Sequence, residues 1–246
     1  MIVKITGKRT IADNLHELQF DWPFGKTKAG QFVMIRVHIG LVPLLRRPMS
    51  IAGEDGGTAS IIFKNVGEGT GILSSKSVGE EIDVLGPLGN PFSTPKEARV
   101  IMAGGGVGIP PLLFFARQNR HLNISAVIGG ATKRDIFGVE ELKRYCKDVT
   151  VTTDDGSSGI KGLVTAPLPG LIKDKSDFII ACGPKGMLKA IDNLCKEHGI
   201  DGQISTEEKM ACGFGVCLGC IVKTVNGNRR TCMSGPVFNT GVIEWA

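Results

Sequence analysis

The sequence predicts a chain of mixed α+β and α/β class, with an antiparallel β-barrel, then a parallel sheet wrapped by helices, then a small cysteine-rich segment. Residues 1–96 form short aliphatic or β-branched runs separated by glycine-rich turns, which is typical of an antiparallel sheet or small barrel. Strand-like and helix-like stretches alternate over residues 97–203, as they do around parallel sheets. Residues 204–246 carry four of the seven cysteines but are too few for an independent core, so we expect a bound group to order them.

The individual elements follow from these runs. The barrel strands are predicted at MIVKIT (1–6), FVMIRVHI (32–39), SIIFKNV (60–66) and EIDVLG (81–86). The parallel strands are predicted at ARVIMAG (98–104), ISAVIGGA (124–131), DVTVTTD (148–154) and DFIIACG (177–183). The helices are predicted at PPLLFFARQNR (110–120), GVEELKRYCK (138–147) and PKGMLKAIDNLCKEHG (184–199).

Composition excludes several classes of function. The net charge of +5 is spread along the chain without a basic block, so we expect no nucleic-acid binding. Residues 100–116 are uncharged, but three successive glycines and two prolines argue against a membrane span. The start of the sequence lacks an export signal, and seven cysteines without such a signal indicate thiols or metal ligands in a cytoplasmic protein.

The cysteines of the last segment have the spacing of a cluster site. Cys212, Cys217 and Cys220 form a C-x4-C-x2-C pattern, and eleven residues separate Cys220 from Cys232. Plant-type [2Fe–2S] ferredoxins have the first pattern. The interspersed glycines, Gly213, Gly215 and Gly219, permit a positive φ and let backbone amides face the sulfurs. The spacing favours a [2Fe–2S] cluster, while a structural zinc site and unliganded thiols are the alternatives.

Two motifs in the barrel region could bind a phosphorylated cofactor. In LLRRPMSIAG (44–53), Arg47 could pair with a diphosphate and Ser50 could bond the edge of a flavin ring, although a solvated basic turn is the simpler interpretation. In IIFKNVGEGTGILSS (61–75), a glycine-rich turn precedes a predicted helix and could present amides to a phosphate. Alone, it could equally be a flexible hairpin end.

The central region has a weaker nucleotide signal. The stretch RVIMAGGGVGIPPLLFFA (99–116) is a buried strand, a glycine turn and a helix that opens on prolines. It lacks the last glycine of the dinucleotide fingerprint. A second strand ends in ACGPKGM, at the sheet edge where ligands bind in such folds. The candidate contacts are Gly104, Gly105, Gly106, Gly108, Cys182, Gly183 and Pro184.

The order of the motifs RRPMS, GEGTG, AGGGVGIPP and ACGP resembles the ferredoxin-NADP reductase superfamily, which joins an FAD-binding barrel to a pyridine-nucleotide domain. The sequences STEEKMACGFGVCLGCIVKT and TCMSGPVF, with GPLGNPF at 86–92, narrow the resemblance to electron-transfer subunits of type B dihydroorotate dehydrogenases over essentially the whole chain. The resemblance implies FAD binding by 1–96, NAD binding by 97–203 and cluster binding by 204–246.

The resemblance also assigns site residues. It implies that Cys212, Cys217, Cys220 and Cys232 ligate the cluster. It implies that FAD is bound by Arg47, Pro48, Met49, Ser50, Ile62, Phe63, Lys64, Gly69 and Thr70. Plant-type reductases have a tyrosine stacked on the flavin where this chain has Met49, which favours the dihydroorotate branch.

The choice between NAD and NADP depends on charges near the adenosine end. Lys133 and Arg134 follow the second strand of this region and could meet a 2′-phosphate, whereas Asp154 and Asp155 would repel one. We therefore predict NAD, with Asp154 in its site.

The resemblance implies an electron relay without catalytic residues of its own. Electrons would come from dihydroorotate through the FMN of a separate catalytic subunit, enter at the cluster, pass to FAD and leave on NAD⁺ in pyrimidine biosynthesis. A heterotetramer with two copies of each subunit is expected. The alternatives are the small subunit of a sulfide dehydrogenase, an NADH-dependent ferredoxin reductase, and a non-enzymatic zinc-stapled binding module.

Overall fold

A computed structural model describes residues 1–245 and gives the following elements. The strands are β1 Ile2–Ala12, β2 Leu15–Asp21, β3 Phe32–Arg36, β4 Arg47–Asp55, β5 Thr58–Lys64, β6 Glu81–Leu88, β7 Arg99–Gly105, β8 Ile124–Gly130, β9 Asp148–Thr153, β10 Ile160–Lys161, β11 Asp177–Cys182, β12 Asp201–Ser205, β13 Ile221–Val222, β14 Arg229–Arg230 and β15 Val237–Asn239. The helices are α1 Glu68–Ser75, α2 Ile109–Gln118, α3 Val139–Leu142, α4 Leu168–Leu171, α5 Lys185–His198 and α6 Thr231–Ser234.

The first six strands close into an antiparallel barrel in the order β1-β2-β5-β4-β3-β6, which confirms the predicted fold of this region. Pairing of β1 with β6 closes it, with Ile2 opposite Asp83. Alternate residues point inward, so Leu18, Phe20 and Ile61 are fully buried in the barrel. A loop of ten residues, 37–46, joins β3 to β4 and ends at Arg46, the first residue of the RRPMS motif.

The central sheet has the order β10-β9-β8-β7-β11-β12-β15 and is parallel except for β15, as the alternating pattern predicts. Helix α5 ends at His198 and is capped by Gly199, whose φ of +62° is in the left-handed region that glycine favours. The helix predicted at 138–147 is shorter than expected, since α3 ends at Leu142. The chain then continues in turns, and the Lys147 amide donates a hydrogen bond to the Ile124 carbonyl at the sheet edge.

The cysteine-bearing segment packs against both other parts of the chain. The expected boundary between residues 203 and 204 falls within β12, and β15 extends the same sheet through the pairing of Ile204 with Phe238. On the barrel side, Met210, Cys220 and Cys232 form a small apolar cluster with Phe32 and Met34. The segment therefore bridges the barrel and the central sheet.

Helix α2 joins the barrel to the central sheet through one continuous apolar core. The Gln118 side chain accepts a hydrogen bond from the Ala29 amide at 2.9 Å and donates one to the Thr27 carbonyl at 2.7 Å. An ion pair of 3.3 Å between Lys64 and Asp135 spans the same interface. Within residues 1–245, no helix has the length and apolar character needed to cross a membrane.

Candidate iron–sulfur, flavin and nucleotide sites

The four cysteines of the last segment lie together as two pairs. The Cys217 amide donates to Cys212 Sγ at 3.4 Å, and the Cys232 amide donates to Cys220 Sγ at 3.5 Å. Within residues 1–245, no three His, Cys, Asp or Glu side chains converge closely enough to hold a single metal ion. Two thiolates for each of two irons is the donor set of a [2Fe–2S] cluster, so the two pairs fit that group.

The loop from Cys212 to Cys220 has the backbone that its glycines predict, with one difference. Gly213 and Gly215 have φ values of +80° and +90°, in the left-handed region where glycine is unstrained. Gly219 does not, and Leu218 has a φ of +58° in its place. Side chains at the first two positions would also collide with Met34 and Met233, at 2.4 and 2.7 Å. These glycines therefore allow the loop to lie close to β3 and α6.

Backbone amides act on the sulfur of Cys212. Partial burial tends to raise the pKa of this thiol, but hydrogen bonds from the amides of Cys217, Phe214 and Val216 outweigh it and lower the pKa to about 6. Burial and the neighbouring Cys220 raise the pKa of Cys232 to about 11. The loop amides are thus directed at the sulfur position, where a bound thiolate would accept their hydrogen bonds.

The two pairs differ in exposure, and the buried pair faces the barrel. Cys217 is exposed and Cys212 half-buried, whereas Cys220 and Cys232 are 3% and 2% exposed. The buried pair packs against Met34 of β3. The register of β3 with β4 places Phe32 opposite Ser50, Val33 opposite Met49, Met34 opposite Pro48 and Ile35 opposite Arg47. The buried cysteines therefore pack on the face of β3 that carries Phe32 and Met34, and the RPMS motif lies on the neighbouring strand of the same sheet.

The two arginines of the RRPMS motif have different surroundings. Arg46 is held by Asp83, with Nη2 at 2.5 Å from the carboxylate and Nη1 at 2.9 Å from the Asp83 carbonyl. Arg47 bonds the Leu45 carbonyl and lies over Gly69 at the start of α1, where a Cβ on Gly69 would be 2.1 Å from Arg47 Nε. A guanidinium held at the positive end of a helix dipole is a favourable site for an anion, because both groups attract negative charge.

The start of α1 has the other features of a phosphate site. The first intrahelical bond runs from the Gly71 amide to the Gly67 carbonyl, so the amides of Glu68, Gly69 and Thr70 precede it. Thr70 Oγ1 accepts hydrogen bonds from the amides of Val66 and Gly67, at 2.9 and 3.1 Å, and so shapes the turn itself. This arrangement fits the diphosphate of a flavin nucleotide.

The β5 residues assigned to the flavin contribute in different ways. Phe63 is 3% exposed inside the barrel, so it can offer a ligand only backbone groups. Ile62 points outward and lines a cleft of about 360 Å³ between barrel and central sheet, together with Leu113 and Phe137. Lys64 is paired with Asp135. Met49, on β4, is half-buried and packs against the barrel core.

The two nucleotide turns meet at the carboxyl edge of the central sheet. Strands β7 and β11 are neighbours, with Gly104 opposite Cys182, and the sheet order changes direction between them. A Cβ on Gly108 would be 2.1 Å from the Cys182 carbonyl oxygen, and one on Gly183 would be 3.1 Å from the Gly105 amide nitrogen. Gly106 has a φ of +54°, and Pro184 precedes α5. Only glycine allows the backbones to approach this closely, which suits a bound dinucleotide at the switch point.

Charges of both signs lie further along this edge. Lys133 and Arg134 follow β8 and are exposed, and Asp154 and Asp155 follow β9 and are exposed as well. Hydrogen bonds from Ser157 lower the pKa of Asp155, so this carboxylate is ionised at neutral pH. The Lys133 amide bonds Ser157 Oγ at 2.8 Å, which joins the two loops.

Several contacts that organise the site could not be assigned from the sequence. Met34 and Phe32 pack against the buried cysteines, and their only signal in the sequence is membership of an ordinary barrel strand. Asn90 fixes the turn after Cys232, because its side chain and amide donate to the carbonyls of Ser234 and Gly235 at 3.0 and 2.7 Å. The GPLGNPF motif, which contains Asn90, contributed to the family resemblance but did not indicate these hydrogen bonds.

Comparison with known proteins agrees with the geometry. Residues 207–244 match the family model described as the iron–sulfur cluster binding domain of dihydroorotate dehydrogenase B. The chain is 39% identical to the dihydroorotate dehydrogenase B (NAD(+)) electron transfer subunit of Clostridium perfringens, over 89% of this chain and 88% of the relative. It is 40% identical to the subunit of the same name from Streptococcus mutans, over 97% and 96%.

Solved structures give the same fold. A chain of the NADH-dependent reduced ferredoxin-NADP oxidoreductase superposes with a TM-score of 0.89 at 32% identity, covering all of this chain and 90% of that one. A second structure is the flavohem-like FAD/NAD binding domain of a nitric oxide dioxygenase from Vibrio cholerae. It superposes with a TM-score of 0.71 at 18% identity, over 82% of this chain and 97% of that one. At this identity the likeness shows the fold alone. By its identity to curated relatives over nearly its whole length, this chain belongs to the family of dihydroorotate dehydrogenase B (NAD(+)) electron transfer subunits.

Proposed function

We propose that this chain is the electron-transfer subunit of an NAD-linked dihydroorotate dehydrogenase, and that it passes electrons from dihydroorotate oxidation in a partner subunit to NAD⁺. The observation that supports the proposal most strongly is that Cys220 and Cys232 pack on Phe32 and Met34 of β3, and that β3 is the hydrogen-bonded neighbour of the flavin strand β4. The proposed cluster and flavin sites therefore share one part of the barrel wall.

The cofactors supply the redox chemistry, since a flavin can exchange a hydride with a nicotinamide and single electrons with an iron–sulfur cluster. The protein binds, orients and insulates them. In this proposal the four cysteines ligate the cluster as thiolates, and the loop amides stabilise the sulfurs. Met34 and Phe32 exclude water from the side that faces the barrel. Cys217 lies on the exposed side, where a donor could approach.

The flavin and nucleotide are assigned to the two larger parts of the chain. We assign FAD to residues 1–96, where Arg47 and the amides at the start of α1 would hold its diphosphate. NAD is assigned to 97–203, where the glycine turns at Gly105, Gly108 and Gly183 allow close backbone approach. Asp154 would face the adenosine ribose and disfavour a 2′-phosphate. The cluster is assigned to 204–246.

The partner is proposed to be an FMN-containing catalytic subunit in an assembly of two copies of each chain. The relatives are named as electron transfer subunits, which supports a separate partner. The cytoplasmic location stays a prediction.

The test compares two reactions. The chain co-expressed with its catalytic subunit is assayed for dihydroorotate-dependent reduction of NAD⁺, and the isolated chain for NADH-dependent reduction of a dye. We expect the isolated chain to reduce the dye but not to oxidise dihydroorotate. Cys220→Ser should abolish the first reaction and leave the second, because a hydroxyl does not replace a soft thiolate ligand.

Cys146→Ser is the matched control, since Cys146 is buried in the nucleotide part and outside the cluster segment. It should keep both reactions. Full dihydroorotate-to-NAD⁺ turnover by folded Cys220→Ser would refute the relay.

A second candidate is the corresponding subunit of an NADH-dependent ferredoxin-NADP oxidoreductase. It is favoured by the 32% identity to such a chain over the whole length of this one. The partner that co-purifies separates the two, since the first candidate requires dihydroorotate oxidation and the second requires reaction with ferredoxin.

A further inference from the structure

The end of the chain is tied to helix α5 by a buried carboxylate. Asp192 lies in the middle of α5 with its side chain fully buried. Its Oδ1 accepts a hydrogen bond from the Gly241 amide at 2.6 Å, and its Oδ2 accepts one from Trp245 Nε1 at 2.9 Å. Lys196, one turn along the helix, adds an ion pair of 2.9 Å. A buried carboxylate with three donors is a fixed attachment point, because each lost donor would leave a buried charge less satisfied.

The segment held by Asp192 in turn holds the hairpin that carries two cluster cysteines. We name residues 240–245 the C-terminal strap. The Val225 amide donates to the Val242 carbonyl at 2.9 Å and the Glu244 amide to the Lys223 carbonyl at 3.0 Å. Thr224 and Ile243 form an antiparallel bridge between these bonds. The strap therefore pairs with residues 223–225, the turn side of the β13–β14 hairpin.

The hairpin places Cys220 and Cys232 relative to each other. Cys220 immediately precedes β13 and Cys232 follows β14, and the Thr231 amide donates to the Cys220 carbonyl at 2.8 Å. Val222 of β13 packs in the same apolar cluster as Ile243 of the strap and Ile191 of α5. A displacement of the strap would therefore also displace the hairpin residues next to Cys220 and Cys232.

We infer that Asp192 is a positioning residue for the iron–sulfur cluster, acting through the C-terminal strap on the hairpin that bears Cys220 and Cys232. Helix α5 begins directly after Gly183 and Pro184 of the proposed nucleotide turn, so the same helix supports both ends of the electron path. The inference rests on the proposed cluster, and it adds that residues remote from the cysteines control its geometry and retention.

The test uses Trp245→Phe, which removes one hydrogen bond to Asp192 and keeps an aromatic ring at a half-buried position. Asp192→Asn is the second variant, because it keeps the shape and removes the charge. Trp22→Phe is the matched control, since Trp22 is the other tryptophan and its indole donates to the Gly25 carbonyl in the barrel at 2.8 Å. Each protein is purified anaerobically with its cofactors and checked for folding by circular dichroism.

Two readouts besides activity are measured: the EPR spectrum of the dithionite-reduced cluster and the rate of iron release to a chelator. We expect Trp245→Phe and Asp192→Asn to release iron roughly tenfold faster, the scale of one lost charge-assisted hydrogen bond, with altered g-values and unchanged FAD content. Trp22→Phe should match the wild type. Wild-type release rates and spectra in Trp245→Phe and Asp192→Asn would overturn the inference, as would an equal effect of Trp22→Phe. A wild-type protein without iron would refute the proposed cluster and this inference with it.

Discussion

Substitution of Gly69 by alanine should weaken FAD binding without unfolding the protein. The new Cβ would be 2.1 Å from Arg47 Nε and 2.6 Å from its Cζ, so the guanidinium must move by roughly 1 Å or more to restore normal contact. The obstructing group is the end of a flexible side chain, and alanine is a better helix former than glycine by about 1 kcal/mol. The free energy of unfolding of the cofactor-free protein should therefore change by less than about 1 kcal/mol.

The displaced arginine can no longer pair with the flavin diphosphate in the same geometry. A hydrogen bond to a charged group is worth about 1.5–3 kcal/mol, which corresponds to a loss of roughly tenfold to a hundredfold in FAD affinity. Gly71→Ala is the control in the same helix, because its Cβ would meet only Asn65 Oδ1 at 3.6 Å, an ordinary contact. FAD titration by flavin fluorescence measures both variants. Wild-type affinity of Gly69→Ala, or an equal loss in Gly71→Ala, would contradict the placement of the diphosphate beside Arg47.

Two further predictions concern the nucleotide domain and its contact with the barrel. Gly108→Ala should lower the melting temperature by about 2–10 °C, because its Cβ would lie 2.1 Å from the rigid Cys182 backbone and overpacking costs about 1–3 kcal/mol. Gly186→Ala is the control, since its Cβ would meet nothing within 4 Å, and it should leave the melting temperature unchanged. The carboxyl of Asp135 is partly desolvated, which raises its pKa, but hydrogen bonds from Thr132 and Lys64 outweigh this and lower the pKa below its ordinary value. Its contribution to stability is therefore present above about pH 4 and is lost as the pH falls through the folded-state pKa. In Asp135→Asn, the free energy of unfolding measured with urea between pH 3 and 7 should fall less steeply as the pH is lowered. A fall as steep as that of the wild type would exclude the contribution of Asp135.

The sequence could predict what depends on local spacing. The glycine and cysteine intervals around Cys212 indicated a loop that wraps a cluster, and the structure has positive φ at Gly213 and Gly215. The same rule failed at Gly219, because the turn there takes its left-handed residue one position earlier, at Leu218. Strand alternation likewise predicted the barrel and the parallel sheet, since burial imposes a period of two on half-exposed strands and apolar runs on buried ones.

Contacts between distant residues could not be predicted in this way. The packing of Arg47 over Gly69 and the bond from Trp245 to Asp192 join positions 22 and 53 residues apart, and neither has a periodic signal. Arg46 is a structural residue because it pairs with Asp83 of β6, whereas Arg47 remains as the candidate ligand residue. Adjacent arginines have the same local sequence signal, so only the tertiary structure separates them.

In the proposed electron path, a cluster held by the four cysteines exchanges electrons with a flavin beside β4. Titration of the anaerobically purified chain with NADH tests this path, with the flavin absorbance and the EPR spectrum followed together. We expect one FAD and two irons with two sulfides per chain, bleaching of the flavin by NADH, and an EPR signal of a reduced [2Fe–2S] cluster that is absent in Cys220→Ser. Stoichiometric zinc in place of iron, or a flavin reduced by NADH with a cluster that no electron reaches, would contradict it.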